Sequence, residues 1–256
     1  MDATQHHQDV ARPGPRAVAA AWAVHLYTMS GAALALLTLV AVIERDTERA
    51  LWLGLVAILV DGTDGMLARH VRVKEVVPWF DGALLDNIVD YLNYAFTPML
   101  LLWTAGYLGD GAWAQVLAIV PLLASAFQFC RTDAKTEDHL FTGFPSYWNI
   151  LAFYVVVMDV GPTAVTLMLL VCTVLVFVPV GYVYPSRTGF LQGLTLVLTT
   201  VWLVAYAVLL AQLPDPSPVW IAMSLVYVVY YVVLSGYLTL QRRRRTGEPL
   251  VQTQRA

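Results

Sequence analysis

Long apolar stretches separated by short polar segments make up most of this chain. Each stretch approaches the roughly 20 residues that an α-helix needs to cross a bilayer. The pattern predicts eight such helices, at about residues 17–43, 49–70, 82–108, 112–131, 146–160, 162–183, 190–213 and 218–240. We therefore expect an all-α integral membrane protein with about eight transmembrane helices.

The polar ends of the chain suggest a simple division into domains. Residues 1–16 are interpreted as a cytoplasmic N-terminal tail, residues 17–240 as one membrane domain and residues 241–256 as a basic cytoplasmic C-terminal tail. No internal repeat divides the apolar region further.

Composition supports the membrane assignment. Of the 256 residues, 59% are hydrophobic and 13% are charged, whereas soluble domains carry about 25% charged residues. The cysteines, Cys130 and Cys172, both lie in apolar stretches. They therefore suggest no disulfide framework.

The basic residues predict the orientation. They precede the first predicted helix and follow the even-numbered ones, at Arg12, Arg16, Arg72, Lys74, Arg131, Lys135, Arg187 and Arg242 to Arg245. The opposite side has only Arg45 and Arg49, among acidic residues. By the positive-inside rule, we expect both termini to face the cytoplasm. The C-terminal arginine run is interpreted as an anchor to anionic lipid, and no nucleic-acid partner is expected.

Four aspartates interrupt the apolar pattern of the second and third predicted helices. A carboxylate at the bilayer centre costs roughly 2.5–3.5 kcal/mol on insertion scales, so these groups need compensation. Asp61 and Asp64 are three residues apart, and Asp86 and Asp90 are four apart, so each pair shares a helix face. The two pairs reach similar depths from the cytoplasmic side. Together they predict an oxygen cage for Mg²⁺ or Mn²⁺; zinc would favour His or Cys ligands.

These residues resemble the motif of the CDP-alcohol phosphotransferase family, D-x-x-D-G-x-x-A-R followed by G-x-x-x-D-x-x-x-D. The matching positions are Asp61, Asp64, Gly65, Ala68, Arg69, Gly82, Asp86 and Asp90. Twelve residues separate the two halves, where most of the family has eight, which predicts a longer cytoplasmic elbow. Residues 73–91, 142–150 and 184–187 are similar to the bacterial phosphatidylcholine synthase branch of this family.

The resemblance implies a six-helix core within the eight helices, a homodimer, and a bacterial inner-membrane location with an active site that faces the cytoplasm. It also implies transfer of a phosphatidyl group from CDP-diacylglycerol to an alcohol, choline in this branch, with release of CMP by direct displacement. Two Mn²⁺ or Mg²⁺ ions would be bound by Asp61, Asp64, Asp86 and Asp90, and Asp90 would also be the general base. The implied CDP-diacylglycerol-binding residues are Asp61, Gly65, Ala68 and Arg69, with Arg131 and Arg187 as further candidates.

The expected acceptor, choline, carries a quaternary ammonium group, which proteins bind with aromatic faces. Candidate residues for this contact are Phe144, Tyr147, Trp148, Tyr91 and Tyr184. Aromatic residues are also common at membrane interfaces for reasons of lipid packing alone, so both interpretations stay open.

Two other functions are compatible with the same residues. The acceptor could be serine, inositol or glycerol phosphate, and Arg131 or Arg187 could bind the carboxylate of serine or the phosphate of glycerol phosphate. Carboxylates inside a membrane also occur along the ion paths of cation transporters. The four aspartates are concentrated in the inner half of the helices, which disfavours a transport path.

Overall fold

The computed structural model of the protein describes residues 13–134, 136, 140–185 and 187–246; most of both predicted tails lies outside these ranges. The described chain is mainly helical, with one two-stranded sheet. Its α-helices are α1 (Pro15–Ile43), α2 (Thr47–His70), α3 (Val73–Val76), α4 (Gly82–Asp90), α5 (Thr97–Thr104), α6 (Gly111–Cys130), α7 (Trp148–Val157), α8 (Pro162–Phe177), α9 (Gln192–Ala211) and α10 (Pro218–Thr246).

Five of the described helices, α1, α2, α6, α9 and α10, are long and apolar enough to cross a membrane. Helices α7 and α8 are apolar but shorter. Helices α4 and α5 are joined by a π-helical segment, Tyr91–Phe96, so helical structure is continuous from Gly82 to Thr104. The prediction of an all-α membrane protein is confirmed. A helical segment corresponds to each predicted span, while the number of eight crossings stays a prediction.

The predicted sixth helix is wrong at its C-terminal end. Helix α8 ends at Phe177, and Gly181–Val183 form strand β2, which pairs antiparallel with β1 (Leu140–Thr142). Pro179 explains the change, because proline lacks the N–H that a helix requires and disfavours helical geometry in the residue before it. The hairpin brings the loop after α6 next to the loop after α8.

Helix α10 holds this hairpin through three side chains spaced four residues apart. The Tyr231 hydroxyl donates to the carbonyl of Val183 at 2.9 Å, and the Val183 N–H donates to Ser235 Oγ at 3.1 Å. Thr239 Oγ1 accepts from the Gly181 N–H at 2.9 Å and donates to the Gly181 carbonyl at 3.0 Å. These bonds satisfy the backbone N–H and C=O groups on the free edge of β2, as pairing with another strand would.

The core surrounds α5 and α7. On one side, Met99 and Trp148 pack with residues of α6 and α8. On the other, Phe153 packs with residues of α2 and α9, and its ring stacks on Tyr206 with centroids 3.6 Å apart. The helices that carry the aspartates are thus anchored to a well-packed apolar body.

The elbow between α2 and α4 contains α3 and packs back onto α1. Arg72, just before α3, is in the left-handed conformation, at a φ of 52°. The ring of Phe80 lies 4.4 Å from that of His25 and 5.3 Å from that of Trp22. This contact fixes the start of α4 against α1, and hence the direction in which the second aspartate pair projects.

Candidate active site

Three of the four predicted carboxylates meet at one point between α2 and α4. One carboxylate oxygen from each of Asp61, Asp86 and Asp90 lies within 4.8 Å of the other two, and all three residues are partly buried. This convergence agrees with the positions expected for the three aspartates from their spacing along α2 and α4. Like charges this close repel one another strongly unless a cation or protons compensate them.

The fourth aspartate, Asp64, lies on the wall of the same small cavity. It is only 5% exposed. Its Oδ2 accepts a hydrogen bond of 2.7 Å from the hydroxyl of Thr28 on α1. Asp64 is therefore held by α1 beside the group of three, instead of completing an even ring of four.

The π-helical segment positions two further polar side chains beside the carboxylates. The Tyr94 hydroxyl donates a 2.7 Å hydrogen bond to Oδ2 of Asp61. Asn93 Nδ2 donates to the carbonyl of Gly31 at 2.9 Å and to that of Val89 at 3.0 Å. π-Helical turns are rare and often occur at functional sites. Here the segment directs Asn93 towards α1 and Tyr94 towards α2.

Helix α1 approaches α4 closely because it has a glycine at the contact. A Cβ atom at Gly31 would collide with Cγ1 of Val89. Together with the Thr28–Asp64 and Asn93–Gly31 hydrogen bonds, this contact makes α1 the element that joins both carboxylate helices.

The donor set fits a hard divalent cation. Asp61, Asp86 and Asp90 offer carboxylate oxygens, the ligands that Mg²⁺ and Mn²⁺ prefer. The cluster includes no His or Cys ligand, which zinc would favour. Three acidic side chains close enough to share one ion thus form a candidate metal centre.

The remaining motif residues of α2 lie on its last turns. Arg69 folds back along the helix, so that a Cβ atom at Gly65 would lie 3.2 Å from its Nη1. The missing side chain at Gly65 therefore leaves room for the Arg69 guanidinium. Ala68 packs against the cluster formed by α1 and the elbow, which indicates a packing role at that position.

The two candidate arginines outside the motif differ in their surroundings. Arg131 forms two hydrogen bonds with Asp133, at 2.6 and 2.7 Å, and donates a weaker one to the carbonyl of Thr142. This pairing lowers the pKa of Asp133 from its ordinary value. Arg131 therefore stabilises the loop that leads into β1, a position that does not support the predicted contact with CDP-diacylglycerol.

Arg187 is exposed and lies over the ring of Tyr184, 5.7 Å from its centroid. Burial raises the pKa of Tyr184; Asp61 and Asp86 raise it further, whereas Arg187 and Arg69 lower it. Tyr184 thus lies within electrostatic reach of both aspartates and both arginines. The contact of Arg187 with CDP-diacylglycerol stays a prediction.

The aromatic candidates separate into core residues and site residues. Trp148 is completely buried, and its Nε1 donates to Ser125 Oγ at 2.6 Å. Phe144 packs on Trp148, and Tyr91 packs on Phe129. These positions favour packing over the predicted contact with choline. Tyr147 instead contacts the ring of Tyr94, so it is close to Asp61.

Sequence reasoning missed Thr28, Asn93 and Tyr231 as parts of this region. A threonine and an asparagine within apolar helices were the available signals, because a buried polar group needs a partner. The partners themselves depend on how α1 and α10 pack, which the pattern along the chain does not specify.

Fold and site together define a multi-pass membrane protein with a carboxylate cluster suited to a divalent cation. No protein-family model matches the chain. It is 40% identical over 226 residues to a phosphatidylcholine synthase of Legionella pneumophila, covering 86% of this chain and 89% of that protein. The corresponding protein of Pseudomonas aeruginosa is 38% identical, covering 84% and 90%. That of Borreliella burgdorferi is 33% identical, covering 88% and 97%. The chain belongs to the phosphatidylcholine synthase family.

Proposed function

We propose that this protein synthesises phosphatidylcholine by transferring the phosphatidyl group of CDP-diacylglycerol to the hydroxyl of choline, with release of CMP. The observation that carries the proposal is the convergence of Asp61, Asp86 and Asp90 within 4.8 Å. The names of the relatives, which cover most of the chain, supply the product.

The carboxylates would hold two Mn²⁺ or Mg²⁺ ions, with Asp61, Asp64, Asp86 and Asp90 as ligands. Bound there, the ions would neutralise the diphosphate of the donor and stabilise the charge that develops on it. The Tyr94 and Thr28 hydroxyls orient two of the ligands, Asp61 and Asp64, as outer partners do in other metal sites.

Arg69 and Arg187 would bind the diphosphate. Arg187 lies over the ring of Tyr184, and Arg69 acts electrostatically on the same residue. A guanidinium offers paired N–H donors that match phosphate oxygens. Gly65 leaves the space in which the Arg69 side chain lies. Binding of the diphosphate by both guanidinium groups would hold the phosphatidyl phosphorus in line with the incoming alcohol.

The reaction we propose is a single displacement. The choline oxygen forms a bond to the phosphatidyl phosphorus, the bond between that phosphorus and the bridging oxygen breaks, and CMP leaves with this oxygen. Asp90 accepts the proton of the choline hydroxyl. No covalent enzyme intermediate is needed.

The remaining assignments follow from the same proposal. The site would open to the cytoplasm in a bacterial inner membrane, because the basic residues favour that side. Residues 17–240 would be the catalytic membrane domain between two cytoplasmic tails. The protein would act as a homodimer, and its helices would include the six-helix core that the resemblance to CDP-alcohol phosphotransferases implies.

The test is a product assay on purified protein. Incubation with CDP-diacylglycerol, Mn²⁺ and labelled choline should give phosphatidylcholine and CMP in equal amounts, with little product when serine, inositol or glycerol phosphate replaces choline. EDTA should stop the reaction, and added Mn²⁺ or Mg²⁺ should restore it. Preference for another acceptor would refute the choline assignment. Cation flux without CMP release would refute an enzyme altogether.

A further inference from the structure

Tyrosine rings form a connected row that starts at the carboxylate cluster. Tyr94, bonded to Asp61, contacts Tyr147, with ring centroids 6.4 Å apart and planes at 87°. Tyr147 contacts Tyr231, with centroids 6.3 Å apart and planes at 58°. The three residues come from the π-helical segment, the residue before α7, and α10. Three separate elements therefore each contribute one tyrosine ring to the row that begins at Asp61.

We propose that Tyr94, Tyr147 and Tyr231 form the seat for the trimethylammonium group of the acceptor, next to Asp61. The proposal rests on the proposed function and names the residues that select its substrate. It adds Tyr231 to the site and so assigns α10 a role in acceptor recognition.

The geometry of the rings suits an ammonium ion. A cation is attracted to an aromatic ring when it lies over the ring face within about 6 Å of the centroid. The planes of Tyr94 and Tyr147 are close to perpendicular, with centroids 6.4 Å apart, so the two rings present faces in different directions. The third ring, Tyr231, would close the corner on the other side of Tyr147.

Hydrogen bonds hold two of the rings in place before any ligand binds. The Tyr94 hydroxyl is bonded to Asp61, and the Tyr231 hydroxyl is bonded to the carbonyl of Val183. Burying a hydroxyl is costly without a partner, and packing alone would be satisfied by phenylalanine or leucine. Fixed rings lose little freedom when a ligand binds, which favours affinity.

The position of the row also fits the length of choline. Two carbon atoms separate its hydroxyl oxygen from its nitrogen, so the ammonium must sit close to the reacting phosphate. Tyr94 is one hydrogen bond away from Asp61, a proposed metal ligand. The three rings offer π faces but no cationic group for the carboxylate of serine or the phosphate of glycerol phosphate, so the seat favours choline.

Steady-state kinetics of purified variants test the seat. Tyr147→Leu and Tyr231→Leu should each raise the KM for choline about tenfold or more, and leave the KM for CDP-diacylglycerol within about twofold. Tyr147→Phe keeps the ring and should stay close to wild type. Tyr237→Leu is the matched control, because it removes an exposed ring from the same helix α10.

Tetramethylammonium, which has the charge but no hydroxyl, isolates the binding step. It should inhibit competitively against choline but not against CDP-diacylglycerol, and its inhibition constant should rise about tenfold in both leucine variants. In wild-type protein, the KM should increase from choline to dimethylethanolamine to ethanolamine, as methyl groups are lost. This series needs no variant, so it tests the seat even if a leucine variant does not fold.

The outcomes separate this inference from the proposed function. Phosphatidylcholine synthesis with unchanged choline KM in the folded leucine variants, or a flat methyl series, would overturn the tyrosine seat and leave the proposed function intact. Transfer to another alcohol and not to choline would overturn both.

Discussion

The hydroxyl of Thr28 donates a 2.7 Å hydrogen bond to Oδ2 of Asp64, which is 5% exposed. Thr28 lies on α1, a helix that carries none of the motif residues. This bond holds the aspartate that stands apart from the other three, and it fixes the direction in which Asp64 offers its oxygens. Helix α1 is therefore a structural part of the candidate metal centre.

Replacing Thr28 should weaken metal binding without removing a ligand. Outer partners of metal ligands typically contribute 10- to 100-fold to affinity or activity. We expect Thr28→Val to raise the Mn²⁺ concentration for half-maximal activity by about tenfold or more. Thr28→Ser keeps the hydroxyl and should stay near wild type. Equal metal dependence in wild type and Thr28→Val would show that the bond has no role at the metal centre.

Gly31 should tolerate alanine only when space is made opposite it. A Cβ atom there collides with Cγ1 of Val89, and overpacking of this kind costs about 1–3 kcal/mol. Gly31→Ala should therefore lower the melting temperature, and Val89→Ala in the same chain should recover part of the loss. Gly236→Ala is the control, because a Cβ atom at that helical glycine meets nothing within 4 Å. A double variant no more stable than Gly31→Ala would contradict this packing.

Gly65→Ala should act through Arg69. The new methyl group would lie 3.2 Å from Arg69 Nη1, so the guanidinium must move. We expect a KM for CDP-diacylglycerol raised about threefold to tenfold, in the direction of Arg69→Ala, because a displaced donor loses part of a charge-assisted bond. Gly54→Ala, in the same helix but with open space at its Cβ, should leave this KM unchanged. Equal effects of both changes would point to helix propensity instead.

The sequence predicted the parts of this molecule that depend on local pattern. Apolar length located the helices, and the spacing of Asp61, Asp86 and Asp90 placed three oxygens together, because helical periodicity and depth are set along a single element. Parts that depend on contacts between distant elements were not predicted. The Thr28–Asp64 bond, the β1–β2 hairpin and the row from Tyr94 to Tyr231 each require knowing which helices are neighbours.

Trp148 also shows that sequence pattern does not specify contacts between distant elements. An aromatic residue beside a polar loop suited a choline contact, but its side chain is completely buried and bonded to Ser125. Its neighbour Tyr147 points to Tyr94 instead. Two adjacent residues at the start of a helix face different surroundings, and composition alone does not distinguish them.

Binding of Mn²⁺ to the purified protein, followed by electron paramagnetic resonance, tests the carboxylate centre most directly. Wild-type protein should bind Mn²⁺ saturably, and its phosphatidylcholine synthesis should rise with occupancy. Asp61→Asn and Asp86→Asn should lose most of the bound signal and all of the activity, although both still insert and purify, while Asp46→Asn, at the other end of α2, should keep both. Full Mn²⁺ binding or retained turnover in the Asp61 and Asp86 variants would contradict the account.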